Sequence, residues 1–146
     1  MQLRELADVN EIVKLSACLQ ELAAYHNEVS VNFKGCYPAK PVGEVLAAFA
    51  DDIAGGVSRI VLAEQDNVAI GFCKVDIADD HGKIAYLVVL KQYQGCGSGG
   101  LLMEWAMNIL QGARLSCIEV KVVAGNPALH LYEKYGFKLN AYILRL

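Results

Sequence analysis

A glycine-rich segment over residues 93–100, with the sequence Tyr-Gln-Gly-Cys-Gly-Ser-Gly-Gly, lies between a predicted buried strand and a predicted helix. Because glycine has no Cβ atom, the backbone N–H groups of such a segment can approach a ligand closely. The N-terminus of the helix adds N–H donors without partners and a partial positive charge. The segment therefore predicts a binding site for a phosphate or pyrophosphate group.

The spacing of the glycines leaves two kinds of ligand open. Gly95-x-Gly97-x-x-Gly100 matches the dinucleotide-binding fingerprint, and Glu119 follows about twenty residues later, where an acidic ribose ligand is expected. Two features disfavour a dinucleotide. A polar spacer, Lys91–Gln94, separates the strand from the first glycine, and Glu119 falls early in its predicted strand. A Walker-type phosphate loop is excluded, because the chain has no Gly-Lys-Ser or Gly-Lys-Thr.

The composition indicates a single globular domain over residues 1–146. Hydrophobic residues make up 55% of the chain, which excludes intrinsic disorder. The longest apolar run, Ile84–Leu90, is far shorter than the roughly 20 residues of a membrane span. A net charge of −3 disfavours nucleic acid as a partner. The five cysteines lack the paired spacing of metal ligands, so we expect no metal site and reduced thiols in the cytoplasm.

The first half of the chain predicts two helices and a sheet. A capping box at Asp8–Glu11 starts a helix from about Val9 to His26, a loop follows over Asn27–Pro41, and a second helix covers about Val42–Ala54. The first six residues alternate like a strand. Three further β-rich runs are joined by short polar turns and predict an antiparallel meander: Ser58–Glu64, Val68–Ile77 and Lys83–Leu90. Their hydrophobicity is nearly continuous, so both faces of the sheet should be covered by helices.

The second half alternates helices and strands. The pattern predicts a helix at about Gly99–Gln111, a strand at about Ser116–Ala124, a helix at Pro127–Tyr135 and a last strand within Phe137–Leu146. A strand-helix-strand crossover implies one parallel pair of strands. The predicted fold is therefore α/β, with a mixed, mostly antiparallel sheet that contains one parallel pair and carries helices on both faces.

Two motifs resemble those of the Gcn5-related N-acetyltransferase (GNAT) superfamily. Gln94-x-x-Gly97-x-Gly99 resembles the Gln/Arg-x-x-Gly-x-Gly/Ala signature that binds the pyrophosphate of acetyl-coenzyme A, and the segment 131–137 is similar to the signature Leu-Tyr-Glu-Lys-x-Gly-Phe. The order of elements also agrees. The resemblance implies the acyl-CoA N-acyltransferase fold. It also implies transfer of acetyl from acetyl-CoA to a primary amine, by direct attack through a tetrahedral intermediate.

The resemblance also implies which residues hold the cosubstrate. Backbone groups of Leu87, Val88 and Val89 would pair with the pantetheine arm. The pyrophosphate would lie on Gln94 and on the N–H groups of the glycine-rich turn, namely Gly95, Cys96, Gly97, Ser98, Gly99 and Gly100. Asn126 would bond the pantetheine, although Gly125 occupies the position where the family usually carries this asparagine.

The resemblance assigns the chemistry to Tyr132, which would protonate the departing thiolate, while a strand N–H stabilises the oxyanion. A base must also take a proton from the attacking amine. The strand Ile84–Leu90 carries no carboxylate, so Glu119, the only acid of the following strand, is the candidate base. The alternatives for this role are Asp76, Asp79, Asp80 and His81.

Three other hypotheses stay open on the sequence alone. The missing carboxylate fits a non-catalytic module that binds acyl-CoA, and the glycine fingerprint fits a nicotinamide dinucleotide. Cys96, at a helix N-terminus, could act as a nucleophile in a ping-pong reaction. For the transferase we expect a small-molecule or protein amine as acceptor, with no nucleic acid or membrane partner and with a homodimer as the assembly. Tyr25 and His26, which end the first helix, are candidates for the acceptor site.

Overall fold

Five strands form one sheet in the computed structural model, which describes all 146 residues. The strands are β1 (Gln2–Glu5), β2 (Ser58–Gln65), β3 (Val68–Ala78), β4 (His81–Val89) and β5 (Cys117–Val120), and they lie in this order across the sheet. Strands β1 to β4 pair antiparallel, and β5 pairs parallel to β4. The predicted meander and the single parallel pair are confirmed.

Four α-helices cover the sheet. They are α1 (Ser16–Val29), α2 (Val42–Ala54), α3 (Ser98–Gly112) and α4 (Leu129–Lys134). A 3₁₀ helix, Val9–Leu15, leads directly into α1, and its first turn is capped by Asp8, whose Oδ1 atom accepts a hydrogen bond from the N–H of Asn10 at 2.9 Å. Asp8 thus caps the helix where the sequence predicts it, although the first turns are 3₁₀ rather than α. The Glu11 carboxylate binds Arg4 instead of returning to the N–H of Asp8, so the predicted capping box does not form.

The core consists of two apolar clusters, one on each face of the sheet. Because side chains alternate along a strand, Val61 packs towards α3 and α4, while the adjacent Leu62 packs towards α1 and α2. Phe72 is fully buried in the second cluster, where it contacts Phe49 of α2 with ring centroids 6.2 Å apart. The prediction that helices cover both faces is confirmed.

A salt bridge from the buried Lys74 of β3 to Asp52 joins α2 to the sheet. Lys74 of β3 is 2% exposed, and its Nζ atom lies 2.8 Å from Asp76 Oδ1 and 3.0 Å from Asp52 Oδ2. The same ammonium lies 4.9 Å from the centre of the Phe49 ring. A buried ammonium without partners would be strongly destabilising, so these two carboxylates explain why a lysine is tolerated here.

Two predictions about strands are wrong in the second half of the chain. The strand predicted to reach Ala124 ends at Val120, because β4 and β5 diverge beyond that point and leave residues 121–124 without a neighbouring strand. The strand predicted within Phe137–Leu146 does not form. This segment pairs with no strand, and its apolar side chains Leu139, Tyr142, Ile143 and Leu144 are exposed.

The turn after β5 packs closely against the end of α1. Gly125 has a φ of +100°, and a Cβ atom at this position would overlap the carbonyl oxygen of Val29. The N–H of Val31 donates a hydrogen bond to the carbonyl oxygen of Ala124 at 3.1 Å. Only glycine fits this contact, which explains why position 125 carries no asparagine.

None of the helices combines the length and apolar character needed to cross a membrane. No group of three or more His, Cys, Asp and Glu side chains is placed to hold a metal ion.

Gly125→Ala tests the contact between the turn and α1. We expect a loss of about 1–3 kcal/mol in the free energy of unfolding, because the new Cβ meets backbone and the positive φ becomes strained. Gly112→Ala is the matched control, since Gly112 lies in α3 with open space around its Cα. Its unfolding free energy should change by less than about 1 kcal/mol. Equal urea midpoints for the two variants would contradict the contact.

Candidate active site

The divergence of β4 and β5 opens the sheet at one end. The parallel pairing ends at Ile84 of β4 and Val120 of β5, whereas β4 continues as a strand to Val89. Residues 85–89 therefore have β3 on one side and no strand on the other. The open edge exposes backbone N–H and C=O groups that need partners.

The pairing between β3 and β4 determines which backbone groups point to the open edge. The N–H of Leu90 donates to the carbonyl oxygen of Ile70 at 2.8 Å. Since antiparallel hydrogen bonds alternate along a strand, the backbone of Val88 faces β3, and that of Leu87 and Val89 faces the open edge. Of the three predicted pantetheine contacts, Leu87 and Val89 thus have backbone groups at the opening.

The glycine-rich turn follows this edge in the chain, and the N–H groups of residues 95–100 have no hydrogen-bond partners within the protein. Gly95 and Gly97 have φ values of +84° and +86°, and Gly97 caps α3 without any side-chain hydrogen bond. None of the six N–H groups of residues 95–100 donates a hydrogen bond within the chain. The Oγ atom of Ser98, which is 1% exposed, also has no partner. Six free amides at a helix N-terminus fit the pyrophosphate of coenzyme A.

A cavity of about 220 Å³ connects the open edge of β4 with the glycine-rich turn. It lies between the strand, the turn and α4, and we call it the donor cavity. Its lining residues are Leu87, Val89, Gln94, Gly95, Gly99, Ala128, Leu131 and Tyr132. The side chain of Gln94 donates from Nε2 to the carbonyl oxygen of Val89 at 3.0 Å and so holds the turn against the strand.

A second cavity of about 100 Å³ lies in the gap between β4 and β5 and extends to α1. We call it the acceptor cavity. It is lined by Leu22, His26, Ile84, Ala85, Tyr86, Leu87, Val120, Lys121, Val122, Val123, Asn126, Ala128 and Tyr132. Leu87, Ala128 and Tyr132 line both cavities, so two molecules entering from opposite sides would meet at these residues.

Tyr132 lies where the two cavities meet. It is 7% exposed and packs edge-to-face on Phe137, with ring centroids 6.1 Å apart. Burial disfavours the phenolate and raises the pKa of Tyr132 to about 12, so the hydroxyl group keeps its proton at neutral pH. A protonated hydroxyl at this junction can donate a hydrogen bond or a proton to a ligand in either cavity.

Asn126 lines the acceptor cavity but also has a structural task. Its Oδ1 atom accepts a hydrogen bond from the N–H of Ala128 at 2.9 Å and so caps the turn that leads into α4. The side-chain Nδ2 group remains for a ligand. Cys96 is exposed on the glycine-rich turn and lines neither cavity.

The acidic residues predicted as possible bases lie outside both cavities. Glu119 is exposed on β5 beside Lys83, because strand alternation turns Ile118 and Val120 towards the core instead. Asp76 is engaged by Lys74 and by the hydroxyl group of Ser58. Asp80 accepts hydrogen bonds from Ser116, which lower its pKa, at the opposite end of β4. No carboxylate lines either cavity.

Some residues of the site carry no sequence signal. Leu22 and Ala128 line the cavities but belong to no motif, and their positions follow from the packing of α1 and α4 around the opened sheet. Leu22 follows the apolar spacing of a helix, but that spacing does not show whether a residue contacts the core or lines a cavity.

The fold is that of known acetyltransferases. The structure of a predicted acetyltransferase from Clostridium acetobutylicum, solved with acetyl-CoA, superposes with a TM-score of 0.74 at 18% identity, over 99% of this chain and 94% of that one. A mixed sheet of this topology, opened beside a glycine-rich turn, therefore defines an acyl-CoA N-acyltransferase fold.

The family follows from the sequence match. The family model for the acetyltransferase (GNAT) domain matches residues 56–139, which is more than half of the chain. The chain belongs to the GNAT family. This membership confirms the resemblance seen in the two motifs and leaves the dinucleotide interpretation without support.

Two curated relatives share part of the chain. Cysteine-rich protein 2-binding protein of Mus musculus is 30% identical over 87 residues, which make up 60% of this chain and 11% of that protein. The [ribosomal protein bS18]-alanine N-acetyltransferase of Haemophilus influenzae is 33% identical over 73 residues, which make up 50% of each chain. The chain thus spans at most half the length of these two relatives.

The buried hydroxyl of Tyr132 predicts a pH effect on stability. Because its pKa is higher in the folded than in the unfolded chain, its contribution is complete below the unfolded pKa and is lost as the pH rises towards 12. Between about pH 9 and about pH 11, wild-type protein should lose about 1 kcal/mol more unfolding free energy than Tyr132→Phe. Urea titrations at the two pH values measure this difference. Parallel losses in the two proteins would show that Tyr132 titrates normally.

Proposed function

We propose that this protein transfers acetyl from acetyl-CoA to a primary amine by direct attack. The observation that carries the proposal is the meeting of two cavities at Leu87 and Tyr132, one beside six free amides and the other beside α1. A thioester in the donor cavity and an amine in the acceptor cavity would have their reacting atoms at this junction.

The reaction assigns a task to each group at the junction. The amine nitrogen forms a bond to the thioester carbonyl carbon, and the free N–H of Leu87 or Val89 stabilises the oxyanion that develops. The carbon–sulfur bond then breaks, and Tyr132 gives its proton to the departing thiolate. The nitrogen of the intermediate releases one proton to solvent and the phenolate of Tyr132 takes one up, so the products are an amide and coenzyme A. Cys96 takes no part in this sequence.

The lining of the acceptor cavity supports a small, mainly apolar acceptor. Most of its lining residues are apolar, Lys121 is a cation, and no carboxylate is present. A polyamine would leave additional ammonium groups without a negative partner, which is unfavourable. We therefore propose an amine next to a small apolar group. The alanine on which the Haemophilus influenzae relative acts is an example of this chemistry.

The proposal includes a cytoplasmic homodimer. All five cysteines are free, which suits a reducing compartment. The exposed apolar side chains of residues 139–146, together with the open outer edge of β5, offer a surface for a second copy.

Parallel thermal-shift titrations with acetyl-CoA and NAD test the cosubstrate. We expect acetyl-CoA to raise the melting temperature and NAD to leave it unchanged, because the turn adjoins the open edge of β4 and no carboxylate lines the donor cavity to bind a ribose. A thiol-release assay with L-alaninamide and with spermidine then tests the transfer. Release with alaninamide and at most a tenth of that rate with spermidine would support the proposal. Stabilisation by acetyl-CoA without amine-dependent thiol release would instead indicate a binding module.

Tyr132→Phe tests the proton donor. The phenyl ring preserves the packing on Phe137 but removes the hydroxyl, so kcat should fall by more than about tenfold. The affinity for acetyl-CoA should change little, because the donor cavity keeps its shape. Tyr135→Phe is the matched control, since Tyr135 is partly exposed and lines neither cavity. Wild-type turnover in Tyr132→Phe would remove the role assigned to this residue.

A further inference from the structure

The acceptor cavity contains one side chain that can change its protonation state near neutral pH. The ionisable residues in its lining are His26, Tyr86, Lys121 and Tyr132. Of these, only the imidazole of His26 has an unperturbed pKa between 5 and 8. Because no carboxylate lines either cavity, His26 is the one group there that can accept a proton from an ammonium ion at neutral pH.

The position of His26 is supported from behind by the loop that follows α1. The His26 ring packs edge-on against Tyr37, with ring centroids 5.2 Å apart. Tyr37 is itself held by Asn27, whose Nδ2 donates to the Tyr37 carbonyl at 2.8 Å and whose Oδ1 accepts from the Tyr37 N–H at 2.9 Å. Asn27 thus holds Tyr37 in place, and the Tyr37 ring packs against the imidazole of His26 at the wall of the cavity.

The surroundings of His26 disfavour its protonated form. The ionisable groups that face it are Tyr37 from the loop, Tyr86 from β4, Lys121 from the segment after β5 and Tyr132 from α4. None is an anion at neutral pH, so nothing stabilises an imidazolium ion. Burial therefore lowers the pKa of His26 below its ordinary value. A neutral imidazole is the form that accepts a proton.

We propose that His26 is the catalytic base of the acetyl transfer, and this inference rests on the proposed function. The acceptor enters the acceptor cavity as an ammonium ion. An imidazole nitrogen of His26 takes one N–H proton, either directly or through one water molecule, and the nitrogen lone pair attacks the thioester carbonyl. The cationic nitrogen of the tetrahedral intermediate releases its second proton to solvent, and the imidazolium ion returns its proton to solvent after the thiolate has been protonated by Tyr132. His26 thus performs the task for which the sequence offered only residues that line neither cavity.

The test compares wild-type protein with His26→Gln and His26→Phe, using L-alaninamide, acetyl-CoA and thiol release over a range of pH. Near pH 7 we expect kcat/KM to fall by about 10²-fold in both variants. The deficit should shrink as the pH rises past the pKa of an α-amine, about 8, because solvent then supplies the neutral amine. Added imidazole should restore part of the activity of the variants.

Two variants separate loss of the base from loss of structure. Phenylalanine at position 26 keeps an aromatic ring against Tyr37, whereas glutamine keeps a polar side chain of similar length. Both variants should retain the wild-type thermal shift with acetyl-CoA, because the donor cavity does not contain His26. His130→Gln is the matched control, since His130 is exposed on α4 and lines neither cavity. Its pH profile should equal that of wild type.

The outcomes distinguish the two proposals. If wild-type protein acetylates alaninamide and the His26 variants keep its rate near pH 7, or lose rate equally at every pH, His26 is not the base. In that case the proposed function stands. If wild-type protein releases no thiol with any amine, the proposed function is overturned and the role of His26 with it. A pH-dependent deficit that imidazole reduces supports both.

Discussion

The separation of β4 from β5 beyond Ile84 and Val120 is the constraint on which the site depends. A sheet normally satisfies its backbone polar groups by pairing neighbouring strands, and here one strand continues for five residues without a neighbour on one side. The N–H groups of Leu87 and Val89 and the C=O group of Leu87 form an edge to which an extended molecule can add, much as a further strand would. The same separation creates the space of the acceptor cavity, because a paired β5 would fill it.

The surrounding elements hold the opening in place from both faces. On one face, the glycine-rich turn and α4 enclose the donor cavity, and Gln94 ties the turn to Val89. On the other face, the end of α1 packs so closely on the turn after β5 that position 125 accommodates only glycine. One wall of the opening is therefore anchored by the Gln94 side chain and the other by the close backbone contact at Gly125.

Local signals predicted most of the fold, and the elements that depend on a distant partner were not predictable. The helix α2 has the bounds given by its pattern and by the glycines that follow it, and the meander strands agree within two residues. An apolar run such as residues 137–146 has strand propensity, but whether it forms a strand depends on a neighbour that the sequence does not reveal. Likewise, the direction of the Glu119 side chain depends on the register between β4 and β5, which is a tertiary property. The glycine-rich turn was predictable because its function lies in its own backbone.

In the proposed reaction, the apolar character of the site allows one cleft to hold a proton donor and a proton acceptor without a carboxylate. Burial disfavours whichever form of a group carries charge. For Tyr132 the charged form is the phenolate, so burial raises the pKa and the residue keeps the proton that a departing thiolate needs. For His26 the charged form is the imidazolium ion, so burial lowers the pKa and leaves the nitrogen free to take a proton. In the proposed reaction, one physical cause, the burial of both side chains, thus favours the protonated form of the acid Tyr132 and the neutral form of the base His26.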